Sequence, residues 1–264
     1  MSISTADHRS RTRAPVTLAD QRPRGQGSKS TAGTAAACAA AAAGAGALAY
    51  LLPGLAGAWA PLRAPLAIED RVSDPRGYAL TFDDGPHPRG TPAMLEELAR
   101  RGSRATFFVV GEQVRRCPGL VGEIIAAGHR VGVHCDRHRN LLRLGPRQVA
   151  DDLARVQQAI EGDGVGELEL YRPPYGVANL AALWLARRRR WRTVLWSHWG
   201  RDWEARATPE SIAALLTAGA GAGSVLLLHD ADEYGAPGSW RRTLAALPRV
   251  LDTMERRGLH PVLL

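Results

Sequence analysis

From Val72 onward the chain alternates between two patterns. Short, mostly apolar runs at Tyr78–Phe82, Ala105–Val110, Arg130–His134, Glu169–Arg172, Arg192–Ser197, Ser224–His229 and His260–Leu264 predict strands. Between them, apolar positions at helical spacing predict helices over Thr91–Arg101, Leu120–Ala127, Pro146–Glu161, Ala178–Arg189, Pro209–Ala218 and Ser239–Arg257. Strands that are apolar throughout belong in a sheet covered on both faces. Glycines at helix ends, such as Gly102, Gly128 and Gly258, mark the stops. Strand–helix alternation implies a parallel sheet, either open or closed into a barrel.

Ahead of this region the pattern changes. Residues 1–30 are polar, basic and broken by Pro and Gly, which predicts a disordered tail. No charged residue occurs over the 33 positions from Ser30 to Leu62. A helix from Ala32 to Leu52 would be about 31 Å long, close to the thickness of a bilayer core. Basic residues precede it, which predicts a cytoplasmic N-terminus and an extracytoplasmic body. We read residues 31–60 as an uncleaved signal anchor. A cleaved leader ending at Ala58-Trp59-Ala60 is the competing reading, with Pro61 disfavouring cleavage.

Charge and cysteine content narrow the function class. The net charge is +8, and Met1–Lys29 carries six basic residues against two acidic ones, so half of the excess lies in the tail. Arg187–Arg190 closes a helical pattern, where cations suit the helix dipole. No basic stripe is interleaved with aromatics, so nucleic-acid binding is not expected. Three cysteines, Cys38, Cys117 and Cys135, form no CxxC, which excludes a cysteine-ligated zinc site; a Cys117–Cys135 bridge is open in an oxidising compartment. GxxxxGK[ST] and GxSxG are absent, and Gly219–Ser224 leads into a strand, unlike a dinucleotide fingerprint.

The chemistry gathers at strand ends. Asp83, Asp84, His134, Arg172, Asp202 and His229 all lie at or just past the C-terminal ends of predicted strands, the face on which α/β barrels build active sites. His134 and His138, brought together by a helical turn or a tight loop, with one carboxylate make a three-ligand set open to water, which suits zinc. Alone, such a histidine pair is more often structural; the neighbouring acids change the balance. Side chains alternate along an extended segment, so of Asp83 and Asp84 one is expected to reach the metal and the other its water. In Tyr171–Gly176 two prolines remove two N–H donors, leaving the Tyr175 amide as an oxyanion donor, and Arg172 can orient a carboxylate. His229 is a candidate general acid, and Asp202 could hold its imidazole protonated.

These motifs resemble those of the polysaccharide deacetylases with a NodB homology domain, carbohydrate esterase family 4. The resemblance runs from Val72 to Leu264 and rests on TFDDGP (Thr81–Pro86), HCDRH (His134–His138), RPPYG (Arg172–Gly176) and LLLHD (Leu226–Asp230). It implies a distorted (β/α)7 barrel over residues 72–264 and hydrolysis of N-acetyl groups on a GlcNAc-containing polysaccharide. Peptidoglycan or another cell-envelope glycan is the first expectation, with chitooligosaccharide, exopolysaccharide or O-acetyl xylan as alternatives and a catalytically silent carbohydrate-binding relative as a further one. It implies Asp83 as base, Asp84, His134 and His138 as ligands of a divalent metal (Zn2+, with Co2+ or Mn2+ as alternatives), Arg172 orienting the base, the Tyr175 N–H in the oxyanion hole and His229 as acid. The expected partners are the acetylated glycan and the membrane, with the protein a monomer. Three positions depart from the family pattern: Cys135 replaces Ser or Thr, Arg139 replaces Pro, and Trp199 stands at an aspartate position, which leaves Asp202 as the remaining acid near His229. Trp184, Trp191, Trp196, Trp199, Trp203 and Trp240 divide between core packing and sugar stacking.

Overall fold

The computed structural model describes residues 29–264. The basic tail expected over 1–30 lies, as far as residue 28, outside the described residues. Helix α1 (Lys29–Leu51) is dominated by alanine, and the stretch Thr34–Gly57, with a mean hydropathy of 1.8, is long and apolar enough to cross a membrane. A separate compact unit comprises Ala45–Leu264.

That unit is an α/β body. Its strands are β1 (Ile68–Glu69), β2 (Gly77–Asp83), β3 (Thr106–Val110), β4 (Arg130–Cys135), β5 (Leu170–Tyr171), β6 (Arg192–Val194), β7 (His198–Trp199), β8 (Val225–His229) and β9 (His260–Val262). Helices α2 (Gly90–Arg100), α3 (Gly111–Arg116), α4 (Leu120–Ala126), α5 (Pro146–Gly162), α6 (Leu180–Arg188), α7 (Pro209–Thr217) and α8 (Ser239–Arg256) intervene. All strand pairs are parallel, in the order β1-β6-β5-β4-β3-β2-β8-β7. Strand β9 pairs with the lower half of β2, Gly77–Ala79, while β3 takes its upper half, Thr81–Asp83. The sheet is curled but open: among the described residues β1 and β7 end the path without pairing to each other.

Alternation along β2 sets the layers. Tyr78, Leu80 and Phe82 point outward into the main core with Met94 and Leu98 of α2 and Leu247 and Val250 of α8. Ala79 points the other way, into a small inner cluster with Phe108, Leu170, Val194 and Val225. Thr81 and Asp83 share this inward phase. The apolar wall thus carries Asp83 on its concave side, at the strand's end.

Three elements escaped the sequence pattern. Strands β1 and β7 have two residues each, too few to show a period, and α3 follows β3 with no turn signal. The strand expected over Arg192–Ser197 stops at Val194, and the buried Arg172 guanidinium bonds the Val194 and Leu195 carbonyls. All three cysteines are free, so the Cys117–Cys135 bridge is not formed.

The end of the apolar stretch belongs to the folded body. Residues Leu52–Gly57 form 3-10 turns with Pro53 and Ala56 buried. Ala56 packs with Ile68, Ala178, Leu183 and Leu195. Arg63 donates to the Ala56 and Trp196 carbonyls at 3.0 and 3.1 Å, and the Tyr50 hydroxyl donates to the Leu144 carbonyl at 2.8 Å. Gly57 abuts the Gly176 carbonyl so closely that a Cβ would stand 2.7 Å from its oxygen. Cleavage after Ala60 would strip this cover. A chain beginning at residue 61 is therefore expected to melt on the order of 5 °C below one beginning at residue 45. Equal thermal midpoints would show that the segment contributes nothing to the body.

Candidate active site

Register brings the polar residues to one rim. Asp83 pairs with His229 across β2 and β8, and Val133 with Tyr171 across β4 and β5, so His134 and Arg172 leave the sheet side by side. Loops from these strands enclose a cavity of about 250 Å³ that reaches Asp83, Asp84, His134, His138, Tyr175 and His229. The two aspartates diverge, though not by strand alternation. Asp84 has φ +79°, a left-handed conformation that Asp tolerates better than most residues, and the chain turns there. Gly85 follows under steric compulsion: a Cβ would lie 2.4 Å from an Asp230 carboxylate oxygen.

Asp83 is held by Arg172. The guanidinium donates through Nη1 to Asp83 Oδ1 at 2.7 Å and to Thr81 Oγ1 at 2.8 Å, and through Nε and Nη2 to the Val194 and Leu195 carbonyls at 3.1 and 3.3 Å. It stacks 4.0 Å from the Phe108 ring centre and is fully buried. The Asp83 carboxylate is thereby fixed at the cavity wall.

Asp84 faces imidazoles. Its Oδ1 lies 3.5 Å from His134 Nε2 and 3.3 Å from His138 Nε2, and this oxygen is buried with no hydrogen-bond partner. His134 Nδ1 sits 2.8 Å from the Arg172 carbonyl, which places a ring proton there and turns Nε2 toward Asp84. Burial, reinforced by His134 and His229 and opposed by Asp84, pushes His138 down to about 4, so this ring is neutral at physiological pH. Burial opposes ionisation of Asp84, yet His134, His229 and His138 hold its carboxyl well below the ordinary range. One carboxylate and two imidazoles, with an orphaned buried oxygen between them, fit a divalent cation. His138 reaches the site from the loop after β4, so a tight loop, not a helical turn, joins the pair.

A second group, His87, Asp232 and Glu233, fits poorly. His87 Nδ1 accepts the Gly90 N–H at 2.8 Å, so its Nε2 carries the proton and points at Asp232.

His229 is held by Asp202. Asp202 Oδ1 lies 2.9 Å from His229 Nδ1, and Oδ2 accepts the His229 backbone N–H at 2.7 Å and the Thr243 hydroxyl at 2.8 Å. Burial alone would lower the imidazole, but the Asp202 carboxylate, with Asp84 and Asp83 beyond, raises it to about 10. His229 Nε2 lies 3.8 Å from Asp84 Oδ2, so the proton is carried at the cavity. Tyr175 has φ +59°; its turn is closed by the Gly176 and Val177 N–H groups, and neither of these bonds uses the Tyr175 N–H.

Comparison with known proteins decides the family. The polysaccharide deacetylase family model matches residues 70–194. The peptidoglycan-N-acetylglucosamine deacetylase of Bacillus cereus is 35% identical over 182 residues, covering 68% of this chain and 82% of that protein. The chain belongs to the polysaccharide deacetylase family, carbohydrate esterase family 4. A chitooligosaccharide deacetylase from Bradyrhizobium sp. is 34% identical over 200 residues, covering 72% of this chain and 91% of the relative. The family 4 carbohydrate esterase from Streptomyces lividans, solved in complex with acetate, superposes with a TM-score of 0.63 at 34% identity over 71% of this chain and 93% of that one.

Against this family's pattern the three departures have structural answers. Cys135 is fully buried at the end of β4, next to His134, and burial pushes its thiol well above the ordinary value. Arg139 donates to Asp152 Oδ1 at 2.7 Å, while Asp152 Oδ2 accepts the Asp136 N–H at 2.8 Å, so an ion pair braces the loop that carries His138 where the family has proline. Trp199 lies between Trp196 and Trp203, its ring tilted against both with centres 5.9 and 5.5 Å apart, and all three indoles line the cavity. Trp191 and Trp240 are buried, and Trp184 is exposed on α6. Two residues were missed in the sequence. Tyr234 stacks on His138 at 4.5 Å and donates to Glu112. Asp230 is raised to about 7, first by burial, despite accepting from the Thr91 hydroxyl.

The family member can be tested at His229 without turnover. In metal-free protein its ring should stay protonated until the pH nears 10, because the folded pKa lies above the unfolded value of 6.5. Asp202→Asn should bring that midpoint down by at least one unit. An NMR titration of the His229 ring checks this, and an unchanged midpoint would remove Asp202 from the assignment.

Proposed function

We propose that the protein is a membrane-anchored, metal-dependent deacetylase that removes N-acetyl groups from a GlcNAc-containing envelope glycan, peptidoglycan first among them. The observation that carries this reading is the division of labour between adjacent acids: Asp83 is ion-paired to Arg172, and Asp84 is open to two imidazoles. Relatives named for peptidoglycan and for chitooligosaccharide match at similar identity, so the choice between these glycans rests on surface features.

Asp84, His134 and His138 would hold the cation, with zinc suited to this N/O set and its open position. When bound, such an ion polarises a carbonyl and eases the ionisation of water. Asp83 takes the proton from the attacking water, and Arg172 keeps that carboxylate aimed at the cavity. The Tyr175 N–H donates to the oxyanion as the acetamide carbonyl becomes tetrahedral. His229, kept as imidazolium by Asp202, delivers its proton to the leaving amine. The indoles of Trp196, Trp199 and Trp203 offer apolar faces to the sugar and exclude water from the cavity.

Asp83→Asn should retain metal and lose activity by about 10²–10⁴-fold, the usual weight of a general base. His134→Ala should lose both metal and activity. Acetate release from purified acetylated glycans, with metal analysis of each variant, separates the two outcomes. Hydrolysis by Asp83→Asn at close to the wild-type rate would overturn the base assignment.

A further inference from the structure

Beside the catalytic cavity lies a second, larger groove of about 530 Å³, lined by Arg139, Asn140, Arg143, Leu144 and Tyr175. Tyr175 lines both spaces, so the groove adjoins the cavity. The lining contains no acid. Residues 137–150 supply four arginines and no aspartate or glutamate. The charge of Arg139 is matched by Asp152. Arg143 is exposed and, among the described residues, makes no ion pair or side-chain hydrogen bond. Asn140 uses its Oδ1 on the Leu142 N–H at 3.0 Å, which leaves its amide N–H groups free.

An uncompensated guanidinium that shares a groove with free amide donors, next to the cavity that Tyr175 also lines, can take an anion. The indole-lined side of the cavity offers stacking faces, and the Arg143 side offers charge. The geometry points to the groove as a subsite for a carboxylate carried on the sugar next to the one being deacetylated. This rests on the deacetylase reading and deepens it: the substrate class is an acidic, carboxylated glycan and not a neutral homopolymer. Two sources share that chemistry, the lactyl carboxylate of a muramic acid unit and the carboxylates of a peptide attached to it.

The test uses the full chain in neutral phosphatidylcholine nanodiscs and three oligosaccharides of equal length. The first is the neutral N-acetylglucosamine tetramer. The second alternates N-acetylglucosamine with N-acetylmuramic acid bearing free lactyl carboxylates, and the third carries peptides amide-linked at those positions. Acetate release and Kd are measured for wild type, Arg143→Gln and Arg143→Lys. Wild type is expected to prefer one or both carboxylated oligomers. Arg143→Gln should cut the ratio of carboxylated to neutral kcat/KM roughly tenfold, the weight of one charge-assisted hydrogen bond, chiefly through KM. Arg143→Lys should restore part of it. The carboxylated oligomer whose ratio falls identifies the source. A ratio unmoved by Arg143→Gln overturns the inference. If wild type releases no acetate from any oligomer, the deacetylase reading fails; the Kd values then judge the subsite separately, with equal affinity for neutral and carboxylated chains counting against it.

Discussion

The structure depends on one buried ion pair. Arg172 is fully enclosed, and its charge is met by Asp83 at 2.7 Å. Removing one partner from such a pair typically costs ~3–5 kcal/mol, because the other is left charged in a medium that cannot solvate it. The same guanidinium caps two carbonyls at the end of β6 and bonds Thr81 one step below Asp83. Its own carbonyl orients His134. Asp83, the sheet edge and His134 are thus tied to one residue, and none can shift alone.

Around that pair, the open curl of the sheet gives each polar group a different support. Asp83 rides on a strand, Asp84 on a left-handed turn, His138 on a loop braced by Arg139 and Asp152, and His229 on β8 beneath Asp202. The electrostatics follow from this separation. Asp84 and His229 are near neighbours, yet one is held as an anion by imidazoles and the other as a cation by the Asp202 carboxylate, which meets the ring nitrogen away from Asp84.

Much of this was legible in the sequence because it follows from period and position. Apolar runs with polar ends marked the long strands and placed Asp83, His134 and His229 on one rim. Asp202 could be named as a partner for His229, and in the structure its carboxylate meets both the ring and the backbone N–H of that residue. What stayed hidden was short or non-local. The two-residue strands β1 and β7 have no period to detect. The turn at Asp84 required backbone angles, since the sequence alone suggested simple alternation. The contacts of Tyr234 with His138 and of Arg139 with Asp152 join residues 96 and 13 positions apart, and no local pattern encodes them. Trp199 illustrates the converse. It looked like a lost acid, and its place is explained only by the two indoles on either side.

The packing of Ala56 and Gly57 against the turn that carries Tyr175 has a further consequence. The chain emerges from the apolar stretch directly onto the rim of the catalytic opening, with no slack between. A shift in the segment that enters the body at Tyr50 would therefore reach the Tyr175 turn by direct contact. The N-terminal edge of the body and the mouth of its cavity are one mechanical piece, so strain at either is felt at the other.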